Sequence, residues 1–168
     1  MKRYILSVMV FNHFGVLTRI SGLFARRGYN ITSLTVGETQ DEKISRMTIQ
    51  GMGDDYTINQ IKSQLSKVED VISVTELFYE TAIFRELYLV KVAADDTTRS
   101  SILQIAEIFK AKPVDVTDKT VVFEVSGDDD KLKAFYANMQ KYGVTELART
   151  GLTAIARGTI DTLNGQKT

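Results

Sequence analysis

The sequence predicts an α+β fold made of two sandwiches in tandem, each an antiparallel sheet with two helices on one face. Three observations carry this expectation. Short β-branched and aromatic runs alternate with amphipathic stretches in the order strand, helix, strand, strand, helix, strand. The same order returns from about residue 84. The connections between successive strands are short and polar, as hairpins require.

Residues 3–11 are rich in β-branched and aromatic types and have no polar face, which fits a strand covered on both sides or buried at an interface. From Gly15 onward Val16, Leu17, Ile20, Leu23 and Phe24 recur at offsets of three and four, placing one apolar stripe on one helix face. Gly28, just after Arg26 and Arg27, suits a helix end where cations meet the dipole. Residues 31–39 and 44–52 read as strands joined by the polar hairpin "TQDEK". "GDDYTINQIKSQLSKV" supplies capping acids and then Ile58, Ile61, Leu65 and Val68 at helical spacing. "VISVTELFYE" closes this unit as a strand.

The second round opens with the strand "FRELYLVKVAA". The helix "DDTTRSSILQIAEIFK" follows, with Ile102, Ile105, Ala106 and Phe109 inward. "PVDVTD" and "TVVFEV" make a strand pair, and "GDDDKLKAFYANMQKYG" a helix that buries Leu132, Phe135, Tyr136 and Met139 and stops at Gly143. "VTELARTGLTAIAR" is the last strand, with Gly151 as its bending point. The topology is ferredoxin-like in both halves. The expected domains are residues 1–80 and 84–158, followed by a polar, disordered tail over 159–168.

Composition narrows the function classes. Charged residues make up 25% and hydrophobic ones 43%, as in an ordinary soluble protein. Lys plus Arg and Asp plus Glu both number 21, so no basic excess exists for neutralising phosphates, and nucleic acid is not an expected partner. The chain has no cysteine, which excludes disulfides, a thiolate nucleophile and thiolate-held metal, and fits a cytoplasmic location. No stretch approaches the length that spans a bilayer. "MKRYILSVMVF" superficially resembles a signal peptide but lacks a small-residue cleavage site, and strand is the better reading.

Several motifs invite stronger readings than they sustain. "GMGDDY" sits between a strand and a helix like a dinucleotide fingerprint, yet its third glycine is missing and Asp54 and Asp55 would repel a pyrophosphate. A turn with capping acids is the better account. Asp128, Asp129 and Asp130 stand at an expected helix start, where carboxylates favour the dipole, so no metal site is assigned to them. His13 is the chain's one histidine, with no recognisable nucleophile motif elsewhere, and it reads as a loop residue on a pocket rim rather than as a general base. RNA readers of this topology stack bases on central-strand aromatics, and "ISRMTIQGM" has none. What remains is a module that binds small molecules, protein partners or both.

The junction "VFNHFGVL" is where a ligand would sit. A strand running into a helix leaves first-turn N–H groups open at the positive end of the dipole, a site for a carboxylate. Gly15 lets a ligand approach the backbone, and Asn12 offers an amide oxygen to an ammonium. A carboxylate and an ammonium on neighbouring atoms describe a free amino acid. On geometry alone this reading and a simple capping role for Asn12 weigh about evenly.

The pattern N-x-x-G, the helix ending "LFARRGYNI" and the following "SLTVGETQDEKISRMTIQ" resemble the ACT domain of acetolactate synthase small regulatory subunits. "AEIFKAKPVDVT" and "VTELARTGLTAIARG" resemble the carboxy-terminal half of the same family, so the likeness covers nearly the whole chain. It implies a non-catalytic chain without a cofactor or metal of its own. Such subunits form homodimers through their ACT domains and pair with a catalytic subunit that holds thiamine diphosphate, Mg and FAD. They activate it and confer feedback inhibition, usually by valine, in branched-chain amino-acid biosynthesis. By position, the resemblance assigns Asn12, Gly15, Val16 and Leu17 to the effector loop. Asn30 and Ile31 would close the pocket from the partner chain, with Thr35 and Gly37 nearby. Phe14 stands where relatives often carry a small residue or proline, and Phe11 where they often carry an acid. Those two changes bear on which side chain the pocket accepts. The alternatives are a free-standing amino-acid-binding module that regulates another enzyme or a transporter, and an enzyme on the same sandwich.

Overall fold

The computed structural model describes residues 1–158; the tail expected over 159–168 lies outside the described residues. The first unit runs β1 (Lys2–Phe11), α1 (Val16–Arg27), β2 (Ile31–Glu38), β3 (Ile44–Gly53), α2 (Asp55–Leu65) and β4 (Val71–Glu76). Its antiparallel sheet has the order β2-β3-β1-β4. β1 lies central because it is apolar on both faces, whereas β2 is half-exposed and occupies an edge. The second unit repeats the plan with β5 (Ala82–Ala93), α3 (Arg99–Ile108), β6 (Lys112–Val116), β7 (Thr120–Gly127), α4 (Asp129–Gln140) and β8 (Val144–Arg149), in the order β6-β7-β5-β8. Its edge strand β6 is exposed along its length and carries Lys112 and Pro113, residues that discourage further strand pairing.

Each unit has its own core. In the first, Tyr4, Leu6, Val8 and Val10 of β1 meet Ile20 and Phe24 of α1 and Ile58, Ile61 and Leu65 of α2. In the second, Val90, Val92, Val121, Phe123 and Val125 meet Ile102, Ala106, Leu132, Phe135 and Met139. Burying one such side chain stabilises a fold by about 1.5–3 kcal/mol, so the alternation along each strand fixes its register.

Helix ends follow the sequence cues. Gly28 takes φ 68°, its N–H donates to the Ala25 carbonyl, and the Tyr29 N–H donates to that of Phe24. This is a Schellman stop, sealed by an edge-to-face contact of Phe24 and Tyr29 at 6.2 Å. Asp54 and Asp128 cap α2 and α4 by accepting from Thr57 N at 2.8 Å and Lys131 N at 2.9 Å. The acidic runs are therefore helix caps.

The expected boundaries change in three places. β4 stops at Glu76 rather than continuing to residue 80: Leu77 N donates to Ile5 O, and the chain then turns so that Thr81 N reaches Phe78 O. The single last strand is two. β8 ends at Arg149, Gly151 takes φ 98°, and β9 (Thr153–Ala156) pairs with β5. The division into units also shifts. The first comprises Met1–Phe84 together with the segment from Leu152, and the second Arg85–Gly151. The reason is apolar: Leu152 and Ala154 bury themselves with Ile5, Leu77, Ala82 and Phe84. The chain's own terminal segment thus covers Ile5 on the face of β1 opposite the helices, so β1 is covered on both sides within one chain.

Candidate functional site

The junction between β1 and α1 is built from three directions. Phe11 N donates to the main-chain oxygen of Asp70 at 2.9 Å, and Asn12 N to Lys43 O at 2.7 Å, so the end of β1 is held between the approach to β4 and the β2–β3 hairpin. The chain then reverses through His13 and Phe14 into Gly15, whose φ of 85° and ψ of −4° are left-handed. An L side chain strains that conformation, and glycine does not. A Cβ at Gly15 would meet nothing within 4 Å, so the turn is open to solvent.

α1 begins uncapped. No side chain accepts from its first turn, and that turn holds no acidic residue. The Val16 N–H reaches His13 O only at 3.4 Å, and those of Leu17 and Thr18 have no acceptor among the described residues. α2 and α4, by contrast, each spend an aspartate here. Open N–H groups at the positive end of a helix dipole are donors for a carboxylate.

Asn12 does not cap α1. Its Nδ2 donates to Glu38 Oε1 at 3.1 Å and to Glu42 O at 3.0 Å. Both partners are acceptors, which settles the orientation of the amide and leaves Oδ1 without a donor among the described residues. Glu38, bonded to the same amide, together with Asp41 and Glu42 of the hairpin, makes the neighbourhood of Asn12 acidic and suited to an ammonium. A hollow of ≈ 600 Å³ opens between the end of β1 and the hairpin, lined by Phe11, Asn12, His13, Asp41, Glu42, Lys43 and Ile44. Phe11 stacks on His13 with centroids 5.8 Å apart, and the Phe14 ring is fully exposed, so neither phenylalanine fills the hollow.

The other sequence-derived residues divide. Val16 is buried in the core and contributes only its main chain, and Leu17 is half-exposed beside it. Asn30 and Ile31 begin β2, while Glu38, the Asn12 partner, ends it. Seven strand steps at about 3.3 Å separate those ends by roughly 23 Å. Within one chain, Asn30 and Ile31 therefore do not join Asn12. The Thr35 hydroxyl donates to Leu152 O at 2.6 Å, and Leu152 N donates to Ser33 Oγ at 2.9 Å, so Thr35 anchors the terminal segment. Gly37 lines a separate groove with Arg46, Thr48, Thr153 and Ile155. Sequence reasoning missed Glu38, the Thr18 N–H and Asp70.

Asp70 is the buried acid of the site. Its carboxylate accepts from Arg19 Nη1 at 2.5 Å and lies 3.4 Å from His13 Nδ1. It supplies an orienting group to the histidine, but no hydroxyl is bonded to His13 among the described residues, so no nucleophile–base pair forms. No group of three His, Cys, Asp or Glu suited to a metal occurs among the described residues, and no described helix is long and apolar enough to cross a membrane.

Comparison with known proteins adds family information to this geometry. The family described as the small subunit of acetolactate synthase matches residues 85–158, and that described as the AHAS small subunit-like ACT domain matches residues 6–73. The chain is 46% identical over 156 residues to the probable acetolactate synthase small subunit of Archaeoglobus fulgidus, spanning 93% of this chain and 98% of that one. The small subunit of Bacillus subtilis is 42% identical over 172 residues, with 100% and 98% covered. The crystal structure of the acetolactate synthase small subunit from Thermotoga maritima matches with a TM-score of 0.88 at 38% identity, covering 95% of this chain and 100% of that one.

Proposed function

The chain belongs to the acetolactate synthase small-subunit family, with an ACT domain at its amino terminus, and from that premise we propose that it binds the catalytic subunit, raises its activity and subjects it to feedback inhibition by valine or a related branched-chain amino acid. On this reading the chain contributes no catalytic group. Thiamine diphosphate, Mg and FAD belong to the catalytic subunit, and the assembly serves branched-chain amino-acid biosynthesis in the cytoplasm.

The observation that carries the reading is the uncapped start of α1, four residues after an Asn12 whose Oδ1 is left open. The effector's carboxylate meets the N–H groups of Leu17 and Thr18 across Gly15, and its ammonium meets Asn12 Oδ1 and the carboxylate of Glu38. The free edge of β2 supports a homodimer through the ACT domains. Antiparallel pairing of two β2 strands about a two-fold axis satisfies both edges. It also brings Asn30 and Ile31 of the partner subunit toward the hairpin end of the first, across the roughly 23 Å that separates them within one chain. Both protomers then complete each pocket, and ligand strengthens the dimer.

Valine controls activity by preferring one arrangement of the assembly. A tenfold preference supplies about 1.4 kcal/mol of coupling. The second unit contacts the catalytic subunit: the sheet face away from its helices displays Leu89, Val122 and Ala148 around a Lys91–Glu146 pair at 2.6 Å.

The test is calorimetric titration of the purified chain with valine, leucine, isoleucine and serine, beside turnover of the catalytic subunit with and without the chain. Saturable binding of a branched-chain amino acid and effector-sensitive activation are expected. An assembly whose activity neither rises with the chain nor falls with any branched-chain amino acid refutes the proposal.

A further inference from the structure

We propose that Asp70 is the positioning residue of the amino-acid site, holding the Asn12–Gly15 turn in the shape that leaves the α1 N–H groups open. The inference rests on the reading of that turn as an effector site and names a residue outside it on which the site depends.

Asp70 lies in the connection between α2 and β4, far from the turn in sequence, yet three of its atoms bracket it. Its main-chain oxygen accepts from Phe11 N, just before the turn. Oδ1 faces Nδ1 of His13, inside the turn. Oδ2 takes the guanidinium of Arg19, whose own N–H donates to Gly15 O at 3.0 Å and closes the far side. The Asp70 side chain is only 9% exposed, while those of His13 and Arg19 are 66% and 58% exposed. The fixed element is thus the acid, and the two basic groups are drawn in to it from solvent. A buried carboxylate holds its place only where hydrogen bonds and opposite charge compensate it, so breaking the cluster releases the turn rather than rearranging the core. Among the described residues the other restraints on His13 and Phe14 are local. His13 N donates to Phe11 O at 2.9 Å, Val16 N reaches His13 O at 3.4 Å and the His13 ring stacks on Phe11. The Phe14 ring is fully exposed, and no side chain caps the helix. No side chain packs where a Cβ of the left-handed Gly15 would stand.

The test uses the full chain with Asp70→Asn, Asp70→Ala and a control, Ile61→Val. Ile61→Val shaves a methyl group from the same core at a fully buried site and shows what mild destabilisation alone does. Valine affinity is measured by calorimetry well below each melting temperature. Amide resonances of Gly15, Leu17 and Thr18 are followed by NMR without ligand. Asp70→Asn is expected to weaken valine binding at least tenfold and Asp70→Ala more, with the three amides shifted and the amides of residues 85–151 unmoved. Ile61→Val should lower the melting temperature with affinity and turn amides unchanged. Wild-type affinity in both Asp70 variants overturns the positioning role and leaves the site reading standing. A wild-type chain that binds none of the branched-chain amino acids refutes the site reading itself, and this proposal with it. Failure of both Asp70 variants to fold makes Asp70 a folding determinant and also overturns the proposal.

Discussion

Placing a carboxylate at Gly15 tests the site most directly, and the structure sets the size of the effect. Gly15→Asp adds a side chain at φ 85°, where no atom lies within 4 Å of the new Cβ, so the cost is backbone strain without a clash. That strain is about 1–2 kcal/mol for an L residue and smaller for aspartate. An acid at a helix start returns about 0.3–1 kcal/mol through the dipole. The net loss is therefore about 1 kcal/mol or less, a fall of at most roughly 2–4 °C in the melting point of a chain of 168 residues. Binding suffers far more. Two carboxylates about 4 Å apart repel by about 4 kcal/mol at an effective dielectric of 20, which weakens valine roughly a thousandfold. The assay is calorimetric titration of wild type, Gly15→Asp and Gly15→Ala, with activation of the catalytic subunit as the second readout. Gly15→Ala carries the strain without the charge and should bind valine within a few-fold of wild type. Both variants should still activate. Valine binding by Gly15→Asp at wild-type strength refutes the placement of the carboxylate. Equal damage from alanine and aspartate refutes the electrostatic argument and leaves backbone shape as the cause.

Three further outcomes follow from residues away from the turn. The Tyr4 hydroxyl is buried without a hydrogen-bond partner among the described residues, so Tyr4→Phe should leave stability unchanged or raise it by about 1 kcal/mol in urea unfolding; a loss of that size would reveal a partner for the hydroxyl. A Cβ at Gly51 would lie 2.5 Å from Tyr4 Cζ and 2.8 Å from Asn30 O, so Gly51→Ala should destabilise by about 1–3 kcal/mol, and an unchanged melting curve would show that Tyr4 has room to move. Hydrogen bonds from the Thr97 side chain, and then from Thr98, hold the Asp95 carboxyl down from its ordinary 3.8 to about 2. Because the folded value is depressed, its stabilisation is complete above about pH 4 and is lost as pH falls through about 2. An NMR titration of that carboxyl with a midpoint near 4 contradicts the assignment.

Both sandwiches were legible because each strand and helix carries its own apolar period, and Asp54 and Asp128 announce α2 and α4 locally. Failures came where tertiary contacts decide. Phe78 and Tyr79 have strand propensity, yet β4 has already ended, and both rings are half-exposed in the turn. The destination of β9 is set by Ile5 and Phe84, and a four-residue run carries no signal of that partner. Asn12 balanced between cap and ligand group until the left-handed Gly15 and the hairpin acceptors fixed its direction. Asp70 had no local signature, because its partners stand 51 and 57 positions away.

The return of Leu152 and Ala154 to the first unit has a consequence for synthesis. Their places over Ile5, Leu77, Ala82 and Phe84 stay vacant until the entire second unit has left the ribosome. At about 5–20 residues per second, the interval between Phe84 and Ala156 is roughly 4–14 s. During that time a nearly finished sheet presents a sticky apolar face to the cell. A chain cut near residue 84 is not a smaller regulator but one whose nascent exposure has been made permanent, and it should aggregate where the full chain does not.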